Sequence, residues 1–266
     1  MKLKVYLINL EKDVDRLNHM TKQLDQLGIE FERIDAINGR EIAEINSPLW
    51  QKFNKTRSDK ENGLGRPLTY GEVGCSLSHL VCYEKLINSD LDCAIILEDD
   101  LLLDKNFWRA VESITSKGQR QHWNIIQFTY TNHNSLDKLI LEFHNIFKLE
   151  LRKLKRDWRP INLMRIVVSP VFNFFLAANT FINIKLTNGL RKNLFRNQPG
   201  AGCYMLDKRA AARLLEINNQ VIYTADVAIV KHLYKMGDIF CLSYYPPMAF
   251  QNIDGFPSSI DSMQHR

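Results

Sequence analysis

The first forty residues alternate between apolar runs and a helical pattern. Residues 3–10 alternate and then run apolar, which predicts a strand. Asp13 and Gly28 bracket a predicted helix as its cap and its stop. Its apolar positions recur at helical spacing, namely Leu17, Met20, Leu24 and Leu27. A second strand is predicted at 29–34, so the opening is β-α-β and favours a parallel sheet with its ligand site at the strand carboxyl ends.

The same reading continues along the chain. The polar stretch 54–68 holds two glycines and a proline and predicts a mobile loop. Thr69 to Glu72 matches the capping box, so a helix is expected to begin at about Tyr70. Asp207 is expected to cap a later helix and Asp226 to open another. Further strands are predicted at 93–97, 125–128, 203–206 and, as the last, 239–242.

Composition is that of an ordinary globular protein. The chain has 266 residues, 45% hydrophobic and 24% charged, which is enough to bury one core, so a single domain over 1–266 is expected. No uncharged apolar run reaches the roughly 18 residues that a membrane span needs. Five irregularly spaced cysteines with no C-x-x-C pattern predict a reduced, cytoplasmic chain.

The positive charge is concentrated in 137–197. Twelve basic and four acidic residues give this segment +8, which leaves −3 for the rest of a chain of net charge +5. Apolar residues at spacings of three and four predict a basic amphipathic helix at about 137–157 within this insertion. Such a helix is typical of a protein that lies on an anionic bilayer, although its apolar face could instead pack on the sheet.

The stretch "AIILEDDLLL" places three acids directly after a predicted buried strand. Glu98, Asp99 and Asp100 repel one another, and clustered carboxylates at a strand end usually hold a hard cation such as Mg²⁺ or Mn²⁺. A solvated turn or a helix cap is the alternative. The sequence contains no P-loop, no G-x-G-x-x-G after the first strand, no G-x-S-x-G and no H-E-x-x-H.

Four further side chains are candidates for chemistry. An inverting sugar transfer needs a carboxylate base near the acceptor hydroxyl, and Asp226 is the candidate, with a plain helix cap as the alternative. Glu72 is the reserve candidate. Cys75 and His79 have the i, i+4 spacing of metal ligands, but without a second pair we expect packing and a local hydrogen bond.

Several blocks resemble glycosyltransferase family 25, the bacterial lipooligosaccharide transferases related to the collagen galactosyltransferases. The most specific block is "LTYGEVGCSLSHLVCYEKL" at 68–86, followed by "AIILEDD". The others are "VYLINLEKDVDR", "IDAINGREI", "GCYMLDKRAAARLL", "TADVAI" and "QNIDGFPSSI". Lys12 stands where the family usually has arginine, whereas Arg16 matches. The segment 137–197 lies outside these blocks.

This resemblance implies an α/β fold with a GT-A-like (Rossmann-like) nucleotide-sugar-binding sheet flanked by helices. The charge and periodicity of 137–197 add a helical basic insertion to that prediction. It implies inverting transfer of galactose or glucose from a UDP-hexose to a lipid-linked lipooligosaccharide or lipopolysaccharide core glycan. The enzyme would lie on the cytoplasmic face of the bacterial inner membrane.

The resemblance also implies roles for individual residues. The acidic trio resembles the family's D-x-D motif, so Asp100 would bind Mn²⁺ or Mg²⁺, with Glu98 and Asp99 orienting metal and donor and Glu98 available as a second metal ligand. Other donor-side residues would be Asn9, Arg16, Ala36, Gly39, Gly74, Ser78 and His79. For His79, donor contact and helix packing both remain open. Apart from the resemblance, Gly63 and Gly65 in the loop 54–68 permit a lid that brings Arg66 to the diphosphate, with a plain surface connection as the alternative.

Two other classes compete with a transferase. A metal-dependent phosphohydrolase acting on nucleotide substrates would also use clustered acids, although its usual extra acidic pairs are absent from the sequence. A non-enzymatic, membrane-associated binding protein would explain the basic segment. No DNA- or RNA-binding motif is visible, so no nucleic-acid partner is expected. The donor hexose, the linkage and the acceptor sugar depend on pocket shape and are not fixed by the sequence.

Overall fold

A computed structural model describes residues 1–116, 122–129, 183–185, 189–193, 200–252 and 255–256. The strands are β1 Leu3–Asn9, β2 Glu32–Asp35, β3 Cys93–Glu98, β4 Leu101–Leu103, β5 Ile125–Gln127, β6 Asn183–Lys185, β7 Leu190–Asn193, β8 Cys203–Asp207, β9 Cys241–Tyr244 and β10 Ala249–Gln251. The helices are α1 Val14–Gln26, α2 Gly39–Glu44, α3 Lys55–Glu61, α4 Tyr70–Ile87, α5 Phe107–Thr115, α6 Lys208–Ile217 and α7 Ala225–Val227. A π turn, Ala228–His232, continues α7.

Eight strands form one sheet in the order β2-β1-β3-β8-β5-β9-β7-β6. β1 pairs in parallel with β2 and β3, and β5 pairs in parallel with β9. β8 lies antiparallel between β3 and β5, and β7 is antiparallel to β9. The two remaining strands, β4 and β10, form a separate antiparallel pair. This mixed α/β sheet flanked by helices confirms the predicted fold class.

Both faces of the sheet are buried, and the strand sequences explain why. Tyr6 and Ile8 of β1 face a core that contains α4 and α6, whereas Val5 and Leu7 face a core that contains α1 and α5. Alternate residues of a strand point to opposite faces, so a strand covered on both sides must be apolar at nearly every position. This requirement accounts for the continuous run in β3, whose residues 93–97 are fully buried.

The helix after the polar stretch begins where the capping box predicts. The Thr69 hydroxyl accepts from the backbone N–H of Glu72, and the Glu72 carboxylate accepts from the backbone N–H of Thr69 at 2.8 Å. These two reciprocal bonds satisfy N–H groups that the first turn of a helix would otherwise leave unpaired. They set the start of α4, the helix that carries much of the pocket wall.

The prediction of a mobile loop over 54–68 was wrong for its first half, because Lys55–Glu61 form helix α3. Asn54 caps this helix, and ion pairs one turn apart join Lys55 to Asp59 and Arg57 to Glu61. Such i, i+4 pairs support a helix that has little apolar periodicity. The last-strand prediction was also wrong, since β10 follows β9 and returns the chain to the acidic turn.

The predicted amphipathic helix at about 137–157 lies outside the described residues. Within the basic insertion 137–197, the described residues 183–185 and 190–193 form the antiparallel strands β6 and β7 at one edge of the sheet, so the helical description was wrong for them. The single-domain assignment stays a prediction. Among the helices that the structure describes, none is long and apolar enough to cross a membrane.

Candidate active site

The carboxyl ends of β1 and β3 form one edge of a pocket. Ile8 of β1 lies in register with Glu98, the last residue of β3, and the chain then turns through Asp99 and Asp100 into β4. The pocket encloses about 690 Å³, including space open to solvent, within the usual range for small-ligand sites. Eight residues predicted for the site line it, namely Asn9, Arg16, Ala36, Gly39, Ser78, Glu98, Asp99 and Asp100.

Asp99 is buried and fully bonded. Its Oδ2 accepts from Asn9 Nδ2 at 2.7 Å, and its Oδ1 accepts from Arg16 Nη1 at 2.6 Å. Asn9 is itself fixed, because its Oδ1 accepts from Arg33 Nε at 3.0 Å. Burial raises the pKa of Asp99, while the Asn9 hydrogen bond and the Arg16 charge oppose that rise. This network holds the acidic turn against β1 and α1.

Asp100 is as buried as Asp99 but less well bonded. Its Oδ2 accepts from Gln251 Nε2 at 3.1 Å and lies 3.5 Å from Arg16 Nη2. Its Oδ1 is buried and has no hydrogen-bond partner among the residues that the structure describes. Burial, and then repulsion from Glu98, raise the pKa of Asp100 to about 6. A buried carboxylate oxygen without a donor is costly, and a cation would relieve that cost.

These donors fit a hard divalent cation. Glu98 and Asp100 both line the pocket with carboxylates, and Mg²⁺ and Mn²⁺ prefer such oxygen ligands. Glu98 and Asp100 are two residues apart, and repulsion from Glu98 contributes to the raised pKa of Asp100. A cation between them would offset both the repulsion and the unsatisfied oxygen.

Glu98 contacts a buried series of polar side chains, His79, Tyr204 and Tyr83. Its Oε1 lies 3.2 Å from Nε2 of His79, whose Nδ1 lies 2.7 Å from the Tyr204 hydroxyl. That hydroxyl lies 2.6 Å from the hydroxyl of Tyr83. His79 is 1% exposed and does not line the pocket. Its contacts thus fit the positioning of Glu98 and the packing of α4, with no surface presented to a donor.

Gly39 and Gly74 allow two backbones to touch. A Cβ on Gly39 would lie 1.7 Å from the Tyr70 carbonyl oxygen, and one on Gly74 would lie 2.3 Å from the Ile37 carbonyl oxygen. Ser78 of α4 stabilises the same contact between α4 and the segment before α2, because its hydroxyl accepts from Ile37 N–H at 2.8 Å. Gly74 therefore lies behind the pocket wall, while Gly39 and Ser78 reach the pocket.

Asp226 lies outside the pocket lining but acts on it electrostatically. Thr224 Oγ1 and the backbone N–H of Val227 both donate to its Oδ1, at 2.5 and 2.9 Å. The pKa of Cys75, a pocket residue, is raised first by burial and then by the charges of Glu98 and Asp226. Asp226 is thus near the Cys75 side of the pocket, at the start of α7.

Glu72 and Arg66 form a bidentate ion pair. The guanidinium of Arg66 donates to both carboxylate oxygens of Glu72, at 2.6 and 2.8 Å. Burial alone would raise the pKa of Glu72, but the hydrogen bonds from Arg66 and Thr69 lower it. A carboxylate bonded in this way is a poor base, and in this structure the predicted diphosphate ligand Arg66 faces Glu72.

Sequence reasoning missed Gln251 and Tyr204. β10 pairs with β4 and places Gln251 opposite Leu101, next to the acidic turn. The backbone N–H of Asn252 also donates to the carbonyl of Asp100 at 2.7 Å. Gln251 and Asn252 belong to the "QNIDGFPSSI" block, so the family motif was visible in the sequence, but no contact to the acidic trio could be assigned from it.

An acidic turn at the end of a central strand, beside a pocket in a mixed α/β sheet, is the arrangement of a GT-A-like protein. The sequence profile described as "Glycosyltransferase family 25 (LPS biosynthesis protein)" matches residues 2–229. The chain therefore belongs to glycosyltransferase family 25, as the motifs had indicated.

Individual relatives match shorter stretches. A glycosyltransferase 25 family member of Aedes aegypti is 32% identical over 126 residues, which are 47% of this chain and 20% of the relative. Procollagen galactosyltransferase 1-B of Xenopus laevis is 34% identical over 111 residues, 41% of this chain and 18% of the relative. The chain thus spans a minor part of the length of these curated relatives.

Proposed function

We propose that this protein is an inverting, metal-assisted hexosyltransferase that moves galactose or glucose from a UDP-sugar to a lipooligosaccharide or lipopolysaccharide core glycan. The observation that carries the proposal is the buried Oδ1 of Asp100, a pocket-lining residue, which has no hydrogen-bond partner within the described part of the chain. In a family 25 chain, an acidic turn with an unsatisfied oxygen is suited to a cation-bound diphosphate. A galactose donor is favoured by similarity to proteins named procollagen galactosyltransferases.

The contacts of the pocket residues support a different proposed role for each. Asp100 and Glu98 would hold Mn²⁺ or Mg²⁺, which, when bound, supplies Lewis-acid stabilisation of the diphosphate leaving group. Asp99 keeps the turn in place through Asn9 and Arg16. Ala36 and Gly39 also line the pocket, and such small residues leave room for a nucleotide.

Asp226 is the proposed base. Inversion requires a carboxylate that takes the proton of the acceptor hydroxyl as that oxygen attacks the sugar. Among the residues that the structure describes, both hydrogen bonds to Asp226 end on Oδ1 and so do not occupy its second oxygen. The charge of Asp226 acts on Cys75, a pocket-lining residue, although Asp226 itself is not part of the lining, and this supports a role for Asp226 in meeting the acceptor.

The acceptor is proposed to be lipid-linked, with the protein held peripherally on the cytoplasmic face of the bacterial inner membrane. The support is the +8 charge of 137–197, because each Lys or Arg near an anionic surface contributes roughly 1 kcal/mol. Co-sedimentation with anionic and with neutral liposomes, each at low and high salt, tests this. Pelleting is expected with anionic liposomes at low salt, and equally weak pelleting in all four conditions would contradict it.

The central experiment measures nucleotide binding and transfer together. Calorimetry with UDP, UDP-galactose and UDP-glucose is expected to show at least about tenfold tighter binding with Mn²⁺, a gain of about 1.4 kcal/mol. Asp100→Asn should abolish that gain, whereas the exposed control Asp25→Asn should keep it. Transfer of hexose to a truncated core glycan, rather than release of free hexose, separates a transferase from a phosphohydrolase. Unchanged Mn²⁺ dependence in Asp100→Asn would refute the metal role of Asp100.

A further inference from the structure

A second group of potential metal ligands lies next to the acidic turn. The ligand atoms of Cys75, His79 and Glu98 all lie within 4.8 Å of one another. Cys75 Sγ is 3.9 Å, and His79 Nε2 is 3.2 Å, from Oε1 of Glu98. Cys75 and His79 lie one turn apart on α4, which puts their side chains on the same face, and Glu98 meets them from the end of β3.

The spacing suits a small tetrahedral ion. Sulfur, nitrogen and oxygen ligands bind Zn²⁺ at about 2.0–2.3 Å, so ligands of one ion lie roughly 3–4 Å apart. The two measured separations are in that range. A thiolate and an imidazole favour zinc over Mg²⁺ or Mn²⁺, which are bound through oxygen.

The surroundings already hold the imidazole in place. The Tyr204 hydroxyl contacts Nδ1 of His79 and the ring stacks on Tyr204, so Nε2 is directed at Glu98. Metal-binding histidines commonly have such a partner on the second nitrogen. Cys75 and Glu98 line the pocket whereas His79 is buried beneath it, so a fourth ligand would approach from the pocket.

We propose that Cys75, His79 and Glu98 form a Zn²⁺ site whose fourth position opens into the pocket. This zinc site differs from the hard-cation site proposed at Asp100 in its other ligands, and the two sites share the Glu98 carboxylate. Three protein ligands with one open position is the pattern of zinc sites that exchange a water or a small ligand. The competing account is that the thiol and the imidazole only hydrogen-bond to Glu98.

The test uses the purified full chain without nucleotide, so its result does not depend on transferase activity. Zn²⁺ is titrated against a chromophoric chelator, and Co²⁺ serves as a spectroscopic probe of thiolate ligation. One site per chain is expected, with a near-ultraviolet thiolate-to-cobalt absorption. Cys75→Ser should abolish that absorption and weaken Zn²⁺ binding by about tenfold or more. Glu98→Gln should weaken Zn²⁺ binding similarly while keeping the absorption.

Cys82→Ala is the matched control, because Cys82 is a buried thiol on the same helix but lies outside the cluster. It should bind Zn²⁺ and Co²⁺ like the parent protein. Circular dichroism and thermal unfolding show whether each variant is folded. Zn²⁺ affinity in a folded Cys75→Ser equal to that of the parent, or a cobalt spectrum without thiolate absorption, would overturn the proposal.

Discussion

Asp99 and Asp100 are neighbours in sequence and equally buried, yet they lie in opposite environments. Asp99 faces β1 and α1, where Asn9 and Arg16 bond both of its oxygens. Asp100 faces β10 and the pocket, and its Oδ1 has no partner in the part of the chain that the structure describes. A saturated carboxylate stabilises a fixed shape, whereas an unsaturated one keeps binding capacity for a ligand.

The same contrast extends beyond the turn. Glu72 is saturated by Thr69 and Arg66 at the edge of α4. Glu98 and Asp226 lie near Cys75, and the charges of both raise the pKa of its thiol. We therefore infer a structural role for Asp99 and Glu72 (the shape side) and a role in binding or catalysis for Asp100, Glu98 and Asp226 (the chemical side). Four predictions test this division, from the largest expected effect to the smallest.

Replacing Asp226 tests the chemical side. Asp226→Asn should lower kcat by about 10²–10⁴-fold, because the acceptor hydroxyl loses its base, with UDP binding nearly unchanged. Single-turnover transfer and calorimetry measure the two quantities separately. Asp238→Asn is the control, an acid whose partners are the surface residues Arg209 and Arg213. A transfer rate within about threefold of the parent would remove Asp226 from the mechanism.

Replacing Arg16 tests the shape side. Arg16→Met leaves Asp99 buried without its ion-pair partner, which should destabilise the fold by about 3–5 kcal/mol. Urea unfolding measures this loss. Adding Asp99→Asn should recover part of it, since the amide carries no charge to leave unpaired. Equal stability of Arg16→Met and the parent would show that the Asp99 network does not hold the turn.

The pH dependence of stability tests the unsaturated oxygen. The pKa of Asp100 is raised to about 6 in the folded protein, against about 3.9 when unfolded. Protonation therefore favours the folded state, and metal-free protein should lose stability as pH rises from about 4 through about 6. Asp100→Asn lacks this loss and should be about 2–3 kcal/mol more stable than the parent at pH 7.5, with no difference near pH 4. Denaturant unfolding in EDTA at both pH values measures the difference. A gain that is the same at both pH values would contradict the assignment.

What the sequence could predict was local. The capping box at Thr69 and the buried run before Glu98 depend on residues within a few positions, so the start of α4 and the bounds of β3 were predicted close to those observed. The Gln251 contact joins residues 151 positions apart and depends on two strands of only three residues each, which have no periodicity to detect. The His79–Tyr204 contact likewise spans 125 positions.

Helix α3 shows a second reason why sequence-based prediction fails. Its stability rests on a cap and on ion pairs one turn apart, so a search for apolar periodicity assigned its residues to a loop. The acidic trio itself was found, because three carboxylates after a buried strand are visible in the sequence. The difference in bonding between Asp99 and Asp100 was not, since it arises from which neighbouring element each side chain meets.

The smallest expected effect separates the two candidate bases. Glu72→Gln keeps the size of the side chain but loses the charge that Arg66 and the cap of α4 use, so stability should fall by about 1 kcal/mol. Because Glu72 belongs to the shape side, its transfer rate should stay within about threefold of the parent, well short of the 10²–10⁴-fold loss of a general base. Steady-state kinetics at saturating donor, beside thermal unfolding, distinguishes the two roles. A kcat loss as large as that of Asp226→Asn in a folded Glu72→Gln would move the base to Glu72. It would also show that a carboxylate whose oxygens are both hydrogen-bonded in the resting structure can still act as a base.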